Sequence, residues 1–177
     1  MPKQNNAAAG SSQRIHFIDL ATVGAFLANC WIEKLSANLR AADVAEIAAA
    51  VGLTPEETIR MSVHYSSHGW VILDSNREPI GIFGAVPGAT PGTGVMWMLG
   101  TDGIGRNARQ IARNTRPYLD RLNRVYPYLW NYVDARHEAS LRWLRWAGCE
   151  IVGEDHSYGV EQQLFYAFGR AAPSATR

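Results

Sequence analysis

Only two of the 177 residues are cysteine. Cys30 and Cys149 stand in apolar surroundings with no metal-ligand spacing, so they read as buried thiols in a reducing compartment rather than as a disulfide framework or a thiolate metal site. No apolar run reaches the ~20 residues that a membrane-spanning helix needs. Met1–Gln13 also lacks the apolar stretch of a signal peptide. An excess of one charge is missing as well. The 17 basic and 16 acidic residues leave a net charge of +1, so no global field selects nucleic acid or membrane as the partner. No internal repeat and no linker divides the chain. What is present suits one soluble globular domain: 47% of residues are hydrophobic and 19% charged, over a length that can bury a substantial core. Residues 1–13 read as a flexible polar arm and residues 171–177 as a short tail. The domain lies between them, at 14–170.

The hydrophobic period changes along the chain. Ile15–Ile18 suits a short strand, and Leu20, Val23, Phe26, Leu27 and Trp31 then recur at helical spacing. Arg40–Val51 is a second, alanine-rich helix closed by Gly52. Thr54-Pro55-Glu56-Glu57 is a helix start with a capping box, and that helix runs to about Tyr65. Trp70–Leu73, Pro79–Val86 and Val95–Leu99 are strands of an antiparallel meander. Helical period returns over Arg106–Tyr126 with Ala108, Ile111, Ala112, Leu119, Leu122 and Tyr126 inward, and Pro117 should kink or split this stretch. Tyr128–Val133 is a strand and Arg136–Ala147 a helix. Glu150–Gly153 and Glu161–Phe168 form a hairpin. This order predicts an α/β domain, a mixed sheet flanked by helices on both faces.

Several side chains carry chemistry in principle. Asp43 and Glu46 lie one helical turn apart and can form a carboxylate pair, although an alanine-rich helix more often presents such residues to solvent. His64 and His68 have a metal-like spacing but no third ligand, so no metal site is expected. Arg106, Arg109, Arg113 and Arg116 line one helix face and can grip phosphates, including those of nucleic acid. With the net charge balanced, a solvated or partner-facing surface is the default and nucleic acid is not expected. Trp143 and Trp146 cannot both point inward from one helix, and a partly exposed tryptophan suits a protein interface.

The order of elements from about Arg14 to Phe168 resembles the GNAT acyl-CoA transferases. Within that fold the chain is more similar to a phage subgroup that includes the small internal virion protein A of short-tailed phages. The likeness rests on the Leu129–Val133 strand (Leu-Trp-Asn-Tyr-Val), the helix with Arg142-Trp143-Leu144, and the closing Gln163-Leu164-Phe165. Arg40, Asp43 and Glu46-Ile47 also match related phage sequences. The resemblance implies acetyl-CoA as the ligand, if one binds. The glycine-rich turn Gly100–Gly105 after the third meander strand would meet the pyrophosphate, and Met98, Leu99, Gly103, Gly105, Arg106 and Asn107 would form the site, with Arg109 beside it. The family's leading Gln or Arg is absent from that turn, and Asp102 brings a negative charge into it. Many members protonate the leaving thiolate with a tyrosine, and Leu144 stands at that position. His137 is the remaining weak catalytic candidate, since it can act as acid or base, but three residues after Asp134 it equally suits a helix cap. Tyr132 and Tyr158 are further donors with no positional support. The resemblance therefore implies a virion-associated structural protein with lost or vestigial catalysis. It would be held in ordered multiple copies against portal, tail adaptor or internal core proteins, in the virion and, during assembly, in the host cytoplasm. The alternative is an active acetyl-CoA-dependent N-acyltransferase acting on a protein or a small amine.

Overall fold

A computed structural model describes residues 14–173. The polar arm read at 1–13 and the last four residues of the tail lie outside it. Strand β1 (His16–Asp19) ends where the Asp19 side chain accepts the Ala21 N–H, which starts one 3₁₀ turn at Leu20–Thr22. Helix α1 (Ala25–Ser36) follows, later than the sequence period suggests. Its phase is set by Trp31, Ile32 and Leu35, which are buried. Phe26 is 83% exposed and Leu27 is exposed too, so these two do not join the core. Helix α2 (Ala41–Val51) closes on Gly52 at φ 66°, the left-handed conformation that glycine adopts without strain. Helix α3 (Pro55–Tyr65) opens with the expected capping box: Thr54 Oγ1 accepts the Glu57 N–H, and the Glu57 carboxylate accepts the Thr54 N–H at 2.9 Å.

Strands β2 (His68–Leu73), β3 (Pro79–Pro87) and β4 (Thr93–Gly100) form the meander. Then come α4 (Gly103–Arg106), α5 (Ala108–Val125), β5 (Tyr128–Asp134), α6 (Glu138–Trp146), β6 (Glu150–Tyr158) and β7 (Gln163–Ala171). One seven-stranded sheet results, in the order β1-β2-β3-β4-β5-β7-β6. Every neighbouring pair is antiparallel except β4 and β5, which run parallel. The mixed sheet expected from the sequence is therefore present. Alternation along β2 shows its two faces: Trp70 and Ile72 pack toward α5 and α6 with Ile111, Leu119 and Leu144, while Val71 and Leu73 pack toward α1 and α3 with Leu35 and Ile59.

Three details depart from the sequence reading. The stretch from Arg106 is two helices, because the Asn107 backbone leaves helical geometry at φ −108° and ψ 14°, capping the end of α4 and the start of α5. Arg106 consequently belongs to α4 and not to the α5 face. Pro117 does not split α5, which runs through it unbroken; the proline lies on the solvent side, where the Arg113 carbonyl that loses its helix donor can meet water. The closing hairpin is longer than read, because two register shifts let the polar run Glu154–Ser157 extend β6 as the sheet's edge. Cys149 is buried, which raises its thiol to about 11, whereas Cys30 is only half-buried.

Candidate functional site

Parallel pairing between β4 and β5 covers only Thr93–Val95 against Tyr128–Trp130. Beyond it the strands splay, and a cavity of about 330 Å³ fills the wedge. Met96, Met98 and Ile111 line it on the α5 side and Trp97, Leu99 and Thr58 on the α3 side, so the gap passes through the sheet. Strand alternation turns the backbone groups of Met96, Met98 and Gly100 toward this gap. The outer two are engaged. Asn131 Nδ2 donates to the Met96 carbonyl at 2.9 Å, the Gly100 N–H donates to Asp43 Oδ2 at 2.7 Å, and the Gly100 carbonyl accepts the Arg40 N–H at 3.0 Å. Met98, between them, presents one donor and one acceptor to the cavity. An extended, amide-bearing ligand can pair with such an edge as an added strand does.

Asp43 closes the far end of the wedge. The sequence reading favoured a solvated Asp43, but it is 2% exposed. Besides Gly100, its carboxylate accepts from Arg40 at 2.6 and 3.1 Å and meets His137 Nε2 at 2.9 Å. His137 is a cap, as read, since its Nδ1 accepts the Ser140 N–H at 3.5 Å. That assignment puts the ring proton on Nε2, donated to Asp43. Ser140 Oγ lies 3.1 Å from the same Nε2. A serine–histidine–aspartate relay needs the hydroxyl and the carboxylate on opposite ring nitrogens, so this arrangement cannot activate Ser140. It is a structural knot joining α2, β4 and α6.

Glu46, one turn beyond, lines the cavity. Burial pushes its carboxyl up to about 7; His137 opposes this, and the negative charges of Asp43 and Asp134 add to it. Asp134 is pushed up by burial but held below the usual carboxylate range by the hydrogen bonds and charge of Arg136, whose Nη2 lies 2.5 Å away. Tyr132 and Tyr158 also line the cavity, stacked at 4.3 Å between ring centroids. Burial first, then Tyr132 and the nearby acids, raise the Tyr158 phenol. Leu144 is a buried part of the wall.

Of the residues that the sequence assigned to cofactor binding, Met98 and Leu99 line the wedge, and Gly105 stands at its edge with open space where a Cβ would be. Gly103 is buried, and a Cβ there would lie 2.5 Å from Ile80 Cγ2, so its smallness serves the packing of α4 on β3. Asn107 spends its amide on the Gly103 carbonyl at 2.9 Å. Arg106 and Arg109 are exposed beside an open hollow formed by Gly105–Gln110. Glu46 and Asn131 are the residues that sequence reasoning undervalued; the Arg40-x-x-Asp43-x-x-Glu46 spacing on one helix was the available signal. His64 lies on α3 and His68 on β2, so the two do not share a helix face. Trp146 is 41% exposed, and Trp143 packs against the core.

No protein-family model and no curated protein sequence matches the chain. Solved structures do. It is similar to a spermidine N-acetyltransferase chimera of Vibrio cholerae SpeG and hSSAT, at 12% identity over 89% of this chain and 95% of that one, with a TM-score of 0.62. The Vibrio cholerae spermidine N-acetyltransferase solved with CoA and spermine gives 9% identity, the same coverages and a TM-score of 0.60. A GNAT-family acetyltransferase from Streptococcus pneumoniae gives 14% identity over 89% of this chain and 99% of that one, with a TM-score of 0.54. Likeness at these identities concerns the backbone, and on that ground the chain has the fold of the GNAT acetyltransferases.

Proposed function

We propose that the wedge between β4 and β5 binds an acyl-CoA and that the chain transfers the acyl group to an amine. The observation that carries this reading is the through-going cavity with the Met98 backbone edge on one wall and a neutral-range carboxyl, Glu46, on the other. Met98 and Leu99 would hold the ligand's extended arm, and Gly105 with Arg106 and Arg109 its phosphates. When bound, the ligand supplies an acyl group activated as a thioester. Glu46 accepts the proton that an ammonium must lose before its nitrogen can bond to the acyl carbon. Tyr158, a phenol that is protonated at neutral pH and that burial raises further, holds a proton for the departing sulfur.

A second reading keeps the scaffold and drops the chemistry: a phage virion-associated protein that contacts portal, tail adaptor or internal core proteins in ordered copies. One specific observation favours it: Leu144 is buried in the wall where the family resemblance implies a tyrosine. The experiment is a melt with acetyl-CoA. A ligand at ~100 times its Kd stabilises the folded state by about 2.7 kcal/mol, and release of free thiol with an amine present should follow. A shift without turnover supports the second reading; no shift at millimolar acetyl-CoA overturns the first.

A further inference from the structure

The outermost surface of α5 is a row of arginines. Arg109, Arg113, Arg116 and Arg124 lie within an arc of about 80° on a helix turning ~100° per residue, opposite the buried Ile111, Thr115, Leu119 and Leu122. At ~1.5 Å rise per residue the row is about 22 Å long. The one acid in it, Asp120, is turned to Arg170 at 2.5 Å. Among the described residues, no acidic side chain lies within ion-pairing distance of the four. Arg116 also sits over the exposed Trp146 ring at 5.5 Å, which joins the row to the surface of α6. Acids gather elsewhere, as Glu33, Glu56 and Glu57 on α1 and α3 and as Glu150, Glu154 and Asp155 on β6. The net charge of +1 therefore hides a segregated distribution. Like charges at i, i+4 and i, i+3 cost helix stability with no return inside the molecule.

We propose that this face binds the phosphate backbone of a nucleic-acid duplex without regard to sequence. Such a backbone carries closely spaced charges along its whole length, so a straight row of guanidinium forks meets phosphates in any register. An acidic protein would need a free apolar anchor at the centre of its contact; of the large apolar side chains exposed at the row, Val125 lies at its end and the Trp146 ring is already covered by Arg116. Arg113, Arg116 and Arg124 lie beyond the glycine-rich turn, whereas Arg109 also borders the proposed acyl-CoA phosphate site, so the variant that tests the face leaves Arg109 in place.

The test is fluorescence anisotropy with a labelled random duplex of about 20 base pairs, with salt raised from about 50 to 200 mM. Four phosphate contacts predict a slope of log K against log salt of about −3 to −4, or roughly a hundredfold loss of affinity over that range. The triple variant Arg113→Gln, Arg116→Gln, Arg124→Gln should melt at or above the parent temperature, showing that it folds, and should reduce the slope by about 3. The control change Arg60→Gln with Arg77→Gln, which removes two positive charges away from α5, should bind as the parent does. Absence of binding at about 100 μM protein in low salt, a flat slope, or a triple variant that binds like the parent would overturn the proposal. So would binding of poly-L-glutamate without binding of the duplex, which would give the face to an acidic protein.

Discussion

Gly103 and Gly105 sit two residues apart in one turn, yet they answer to different neighbours. Gly103 is small because Ile80 leaves no room, whereas Gly105 has open space beside it. Gly103→Ala should therefore cost about 1–3 kcal/mol through forced repacking and lower the melting temperature. Gly105→Glu should leave stability within about 0.5 kcal/mol and abolish the acetyl-CoA shift by placing bulk and negative charge where phosphates would dock. A Gly105→Glu protein that keeps the shift would place the ligand elsewhere. Glu46 allows a second residue-level test. Its folded-state value of about 7 lies above its ordinary 4.5, so the folded chain holds that proton more tightly than the unfolded one. Stability must then fall as pH rises between those two values and level off above them. After allowing for partial exposure, the loss is on the order of 2 kcal/mol. Glu46→Gln should raise the melting temperature at pH 8 but not at pH 4.5, and should slow any amine acylation; equal effects at both pH values would show that Glu46 titrates normally.

At the scale of elements, Asp43 does what sheet pairing does elsewhere. Past Val95 no ladder holds β4 to β5, and the Asp43 carboxylate ties Gly100, Arg40 and His137 together across the opening. Asp43→Ala would strand a partly buried guanidinium and a buried imidazole, a loss of about 3–5 kcal/mol for a broken buried pair. Amide exchange measured by NMR should then quicken at Gly100, whose N–H loses its acceptor, more than at Ile82 in the ladder between β3 and its neighbours. Unchanged protection at Gly100 would mean that the knot is not what orders the strand end.

At the scale of the whole molecule, the splay divides the sheet into a four-stranded half, β1 to β4, and a three-stranded half of β5, β7 and β6, joined by three residue pairs. Each half is held by antiparallel ladders along most of its strands, so the seam is where local opening should be easiest. Acetyl-CoA bound in the wedge would supply the missing pairing, and the Met98 amide should gain exchange protection on its addition. Protection confined to the far edge of β6 would contradict the proposed site.

Local patterns in the sequence determined much of this. The Thr54–Glu57 capping box, the Gly52 stop and the three strands of the meander need only near neighbours to form, so they were legible residue by residue. The break at Asn107 and the true phase of α1 were not, because each turns on which face finds a core to pack against. The site was less legible still. That Asp43 is a buried tie and Glu46 a neutral-range carboxyl follows from α2 crossing the ends of strands that lie 57 and more residues away in the chain. Desolvation and charge proximity are properties of assembled space, and only the tertiary structure brings those carboxylates, His137 and the splayed strands within range of one another.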